Sequence, residues 1–75
     1  MIITIIEKEI LLANDISDKL KKLGYETEVF DCIKKATGLS RGDVYLLSTV
    51  FSVNSMKVFI QKFKHKSILL LVSHK

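Results

Sequence analysis

Apolar residues along this chain fall into two alternating rhythms. Ile2-Ile3-Thr4-Ile5-Ile6 is a nearly continuous β-branched run, the composition of a strand buried on both faces. From Ile10 the rhythm changes. Leu12, Ile16, Leu20 and Leu23 recur at helical spacing, with Asp15, Ser17, Asp18, Lys19, Lys21 and Lys22 between them, which predicts an amphipathic helix. Gly24 follows as its stop signal. Tyr25 to Phe30 alternates as a second strand, and Cys32 to Thr37 reads as a short helix stopped by Gly38. Val44 to Val50 is a third apolar strand. Asn54 or Ser55 can cap a third helix with Met56, Phe59, Ile60 and Phe63 toward the core. Ile68-Leu69-Leu70-Leu71-Val72 is a fourth strand.

The order βαβαβαβ with short connections implies a parallel sheet with right-handed crossovers, a three-layer α/β fold of about four strands. No proline, linker, repeat or low-complexity stretch interrupts it, so residues 1–75 read as one domain.

Composition sharpens this picture in three places. With 48% hydrophobic residues and a mean hydropathy of +0.27, the 75-residue chain is greasy for its size. So small a globule has much surface and little interior, so part of that apolar area is expected to meet a partner. The net charge of +4 would suit an acidic partner. Its lysines, however, cluster at helix ends and faces, as Lys19, Lys21 and Lys22, then Lys57, Lys62, Lys64 and Lys66. That is the pattern of solvated helices, without the arginine runs or aromatic interleaving of a nucleic-acid interface. Direct nucleic-acid binding is therefore not expected. The single cysteine, Cys32, excludes an intramolecular disulfide and a thiolate metal cluster. The longest apolar run is too short for a bilayer and the amino terminus lacks the form of a signal peptide, so a cytoplasmic chain with no membrane contact is expected.

Candidate chemistry is sparse. Ser48, His65 and Asp43 are the ingredients of a hydrolase triad, but no nucleophile elbow surrounds Ser48, and His65 lies in the basic stretch Lys64-His65-Lys66. His74 pairs with nothing recognisable. Gly24, Gly38 and Gly42 are isolated turn residues and form no phosphate loop.

The element order, Ile-Ile-Glu-Lys-Glu before the first helix, Lys-Lys-Leu-Gly-Tyr at its end, and Gly-Asp-Val-Tyr-Leu-Leu-Ser as third strand together resemble a receiver domain of bacterial response regulators, the CheY-like, flavodoxin-like fold. The resemblance covers the whole chain and the front part of the family fold. It implies strand order 2-1-3-4, without the fifth strand and final helices, as in a truncated domain. It also implies a degenerate phosphorylation pocket. Receivers hold magnesium with adjacent acids after the first strand, where this chain has Glu7 and then Lys8. An ammonium beside the site opposes a divalent cation. Ser48 stands at the phosphoacceptor aspartate, and a hydroxyl forms no acyl phosphate. The Ser/Thr switch position falls at Val72 or Ser73.

The resemblance thus implies an atypical, phosphorylation-independent receiver with no metal, cofactor or enzyme activity. It would act by dimerisation or docking in signal transduction or transcription regulation, with a fused or separate output domain. Without a fifth strand the fourth becomes an edge, and Ile68, Leu69, Leu70, Leu71 and Val72 would form the centre of a homodimer. The alternatives are a small nucleic-acid-binding domain, or a phosphocarrier using Glu7, Ser48, Thr49 or Ser73 at the carboxyl ends of the strands.

Overall fold

The β-branched run at the amino terminus forms the interior of the sheet. In this computed structural model, which describes residues 1–72, β1 (Ile2–Ile6) is flanked by β2 (Glu26–Phe30) and β3 (Val44–Ser48), and β4 (Ser67–Leu71) lies beyond β3. All pairings are parallel, in the order β2-β1-β3-β4. The crossovers are α1 (Ile10–Lys22), α2 (Ile33–Leu39) and α3 (Val53–Lys62). The βαβαβαβ order and the three-layer architecture expected from the sequence are both present.

Register decides what each face of the sheet presents. Thr4 pairs with Tyr45 and Ile6 with Leu47, and in a strand alternate residues share a face. Ile6, Tyr45 and Leu47 therefore meet Ala36 of α2 and Phe59 of α3 in the main core. The Tyr45 ring lies edge-on to Phe59 and Phe63, with centroids 5.5 and 5.2 Å away. Ile3 and Ile5 point the other way, beneath α1. There Ser17 of α1 shares a 2.6 Å hydrogen bond with Thr27, the register partner of Ile3.

A polar residue in the centre of β1 needs a partner. The buried Thr4 hydroxyl donates to Glu28 Oε2 at 2.5 Å, and the same oxygen accepts the Arg41 N–H at 2.7 Å. The chain passes tightly over Thr4. A Cβ on Gly42 would overlap Thr4 Oγ1 and lie 2.9 Å from the Tyr45 ring, so only glycine fits.

Several boundaries differ from the sequence expectation. Gly38 does not stop α2, which runs on to Leu39 and is closed at Ser40. Gly24, by contrast, takes the left-handed φ of 95° that ends α1. The cap of α3 is Ser52, whose hydroxyl accepts the Ser55 N–H at 3.2 Å, and not Asn54 or Ser55. β2 begins at Glu26 and β3 ends at Ser48, because Thr49 and Val50 already turn toward α3. β4 starts one residue earlier than expected and ends at Leu71. The buried face of α1 is Ala13 and Ser17, with Leu12 37% and Leu23 73% exposed. Small side chains let the helix approach the sheet closely, and the leucine stripe is turned to one flank.

Candidate functional site

In open parallel sheets ligands collect at the carboxyl ends of the strands. Here that end is built by the turns after β1 and β3, which are neighbours. Glu7 continues β1 by one residue, its N–H donating to the Phe30 carbonyl at 3.0 Å. Ser48 ends β3. The two side chains, each 1% exposed, face each other, and the Ser48 hydroxyl donates to Glu7 Oε1 at 3.1 Å. Glu7 Oε2 accepts the Glu9 N–H at 3.3 Å, and Ser48 Oγ accepts the Val50 N–H at 3.4 Å. Both polar groups are thereby satisfied inside the protein. No buried side-chain nitrogen or oxygen among the described residues lacks a partner.

The electrostatics of this point are unusual for a ligand site. It holds one carboxylate, and no lysine or arginine pairs with it among the described residues. Lys8 is exposed beside it. No three His, Cys, Asp or Glu side chains converge to hold a metal among the described residues. A hydroxyl that donates to a buried carboxylate has the partner of an activated nucleophile. At 1% exposure that hydroxyl is buried. Beyond Ser48, the Thr49 N–H and hydroxyl both reach the Leu71 carbonyl, at 3.0 and 3.3 Å, and tie the mouth of the site to the end of β4.

The other expected groups lie elsewhere. Asp43 is at the amino end of β3, where its carboxylate accepts the Ile2 N–H at 2.9 Å. His65 is in the turn before β4. At ~3.3 Å per residue the length of a five-residue strand separates both from Ser48. The triad Ser48–His65–Asp43 is not assembled. The lysines of α1 and α3 lie on opposite faces of the sheet and make no single basic stripe. Cys32 is half-buried, and its sulfur accepts the Lys35 N–H at 3.5 Å as the cap of α2. Ser73 lies outside the described residues; Val72 is exposed past β4.

The edge strand is open. Leu69 and Leu70 are 58% and 51% exposed, Ile68 and Leu71 are half-buried, and one side of the β4 backbone has no strand neighbour among the described residues. No helix of the described residues is long and apolar enough to cross a membrane.

No family model matches the chain, and neither does any curated relative. Solved structures do. The high-resolution structure of chemotaxis protein CheY4 of Vibrio cholerae, crystallised at low pH, matches over 99% of this chain and 69% of its own, with a TM-score of 0.75 and 21% identity. A fusion carrying the trimeric coiled coil of yeast Spc42 matches over 99% of this chain and 54% of its own, with a TM-score of 0.76 and 22% identity. The chain has a CheY-like, flavodoxin-type α/β fold. It spans about half the length of one of these structures and about two thirds of the other.

On that fold, Glu7 and Ser48 are the pair that the sequence resemblance set at the magnesium and phosphoacceptor positions, and they touch. Two participants had no sequence signal of their own, the N–H groups of Glu9 and Val50, and Thr49, expected only as a candidate nucleophile, is the link to β4. Backbone donors carry no residue type, and the Thr49 contact exists only through the β3–β4 register.

Proposed function

We propose that the chain is a receiver-like module that works in signalling through protein contacts and without phosphorylation chemistry. The observation that carries this reading is the buried Glu7–Ser48 hydrogen bond. In receivers this point holds a metal and an aspartate that takes a phosphoryl group. Here one carboxylate is occupied by a hydroxyl and an N–H, and the neighbouring residue is Lys8. The likeness in fold to a chemotaxis protein supports the signalling part of the reading. Incubation with acetyl phosphate and magnesium, followed by intact mass measurement, should give no phosphoryl adduct. An adduct on any described residue at the carboxyl end of the sheet overturns the reading.

The contact surface is the β4 edge. Its backbone groups face outward, and no charge or proline from Ser67 to Val72 blocks pairing with another strand. Two copies joined antiparallel through β4 would form one continuous eight-stranded sheet about a two-fold axis. This homodimer, centred on Ile68, Leu69, Leu70, Leu71 and Val72, is the form in which the module would hold a fused or separate output domain. Sedimentation across a concentration series should show a dimer at both low and high salt, because an apolar and backbone-paired contact is little screened. A well-folded monomer at all concentrations rejects this part.

A further inference from the structure

Between α2 and α3, on the face of the sheet opposite α1, a groove opens at the first turns of the two helices. It has a volume of about 390 Å³ and is lined by Ile33, Lys34 and Thr37 of α2 and by Asn54, Ser55 and Val58 of α3. Each set has the spacing i, i+1, i+4, which gathers it on one side of its helix. Because α2 follows β2 and α3 follows β3, the groove lies at the carboxyl edge of the sheet, where open α/β folds take their ligands. None of its lining residues belongs to β4 or to the buried Glu7–Ser48 pair.

Its chemistry has one sign. α2 and α3 carry Lys34, Lys35, Lys57 and Lys62 and no Asp or Glu. Asp31 takes Lys35 at 3.2 Å, which leaves Lys34 without an ion-pair partner among the described residues. Helix stability does not account for Lys34, since a cation in a first turn opposes the helix dipole. The Thr37 hydroxyl donates to the Ile33 carbonyl at 2.9 Å, whereas Ser55 Oγ accepts from Ser52 and keeps its own proton to donate. Lys34, Asn54 and Ser55 thus bring donors to an apolar strip of Ile33 and Val58. Exposure then selects the occupant. Small ligands are held by burying most of their surface, but Lys34, Asn54, Ser55 and Val58 are all exposed, Val58 at 67%. Such a groove needs the body of a partner protein over it. From Ile33 to Thr37 it is only about 6 Å long at about 1.5 Å per residue, the length of one anchoring side chain and its neighbour.

We propose that this groove takes a short acidic segment of a partner protein, with one leucine-type side chain between Ile33 and Val58 and an adjacent carboxylate on Lys34. This docking surface is additional to the β4 edge and stands whether or not two copies pair there.

The probe is the capped peptide acetyl-Glu-Asp-Leu-Leu-Asp-Glu-amide, with one twin carrying lysines for the acids and another carrying serines for the leucines. Amide shift titration of the full chain at low salt should give saturable shifts at the groove residues. Each twin should bind about tenfold or more weakly. Lys34→Gln and Val58→Asn should each weaken binding about tenfold. Lys21→Gln, which removes an exposed lysine of α1 on the other face of the sheet, should leave it unchanged. Circular dichroism establishes that each variant is folded. Four outcomes overturn the proposal: no saturable binding, equal binding of either twin, shifts confined elsewhere, or an equal loss with Lys21→Gln. If the groove amides shift with protein concentration in the absence of peptide, a second copy is the occupant and the proposal fails. Sedimentation of the same samples reads pairing through β4 separately, so a monomer that binds the peptide rejects the edge dimer and keeps the groove.

Discussion

Taking the hydroxyl from Ser48 would leave Glu7 Oε1 buried and without its donor. A buried acceptor stripped of its partner costs about 1–3 kcal/mol, so Ser48→Ala should lower unfolding stability by about that much in urea titration. No change would mean that water reaches Glu7, contrary to its burial. Gly42→Ala should fail for a steric reason. Its Cβ meets Thr4 in the middle of the sheet, and overpacking of this kind costs about 1–3 kcal/mol. The same titration reads it, and an alanine without penalty would mean that the Arg41–Asp43 turn can lift away from β1. At this scale the sequence showed which residues mattered but not what they touch. Glu7 and Ser48 stand 41 positions apart, and their contact follows from two strands lying side by side in one register. Thr4 gave no warning inside its isoleucine run, since its partner Glu28 looks like an ordinary strand polar residue.

The elements were the most readable level. Continuous β-branched or aliphatic runs form strands at β1, β3 and β4, covered at β1 and β3 but with Leu69 and Leu70 of β4 more than half exposed. Ends were harder, because a cap is a local competition. Ser52 wins the start of α3 over Asn54 and Ser55 by one hydrogen bond, and Gly38 stays helical since nothing demands a positive φ there. The face of α1 was misread for a different cause: leucine periodicity marks the apolar flank, whereas close packing on the sheet selected Ala13 and Ser17. For α3 the expected inward residues divide. Phe59 is 1% exposed, whereas Ile60 is 37% exposed. Phe59 is therefore the anchor that holds α3 to Tyr45 and Leu47. Phe59→Ala should cost about 3–5 kcal/mol, whereas a domain of this length holds about 4–11 kcal/mol in all. The variant should lose a large part of its stability and melt at a markedly lower temperature by circular dichroism. A small shift in its melting midpoint would show that Phe63 and Met56 carry the contact instead.

For the whole molecule, the open edge is the feature with most bearing on behaviour in solution. Leu70→Lys places a cation on β4, which natural edges use to discourage pairing. It should convert a dimer to a monomer in sedimentation, with the far-ultraviolet circular dichroism unchanged. A dimer that survives the substitution would place the contact elsewhere. Parallel topology was legible in the alternation of strands and helices. The neighbour relations β1–β3 and β3–β4 came with the family resemblance, since nothing in local patterning tells one strand order from another.

The order β2-β1-β3-β4 also has a consequence for how the chain assembles as it is made. The earliest of these four strands in the chain, β1, is an interior one, and its partner β2 follows after a single helix. β3 and then β4 add to the other side in the order in which they are translated, so the sheet grows outward and no strand need be inserted between two already paired. Each intermediate therefore carries one waiting edge, and the next strand to emerge is its cognate partner. Pulse-labelled hydrogen exchange during refolding should protect amides of β1 and β2 before those of β4. Simultaneous protection of all four strands would show that the sheet closes in one step instead.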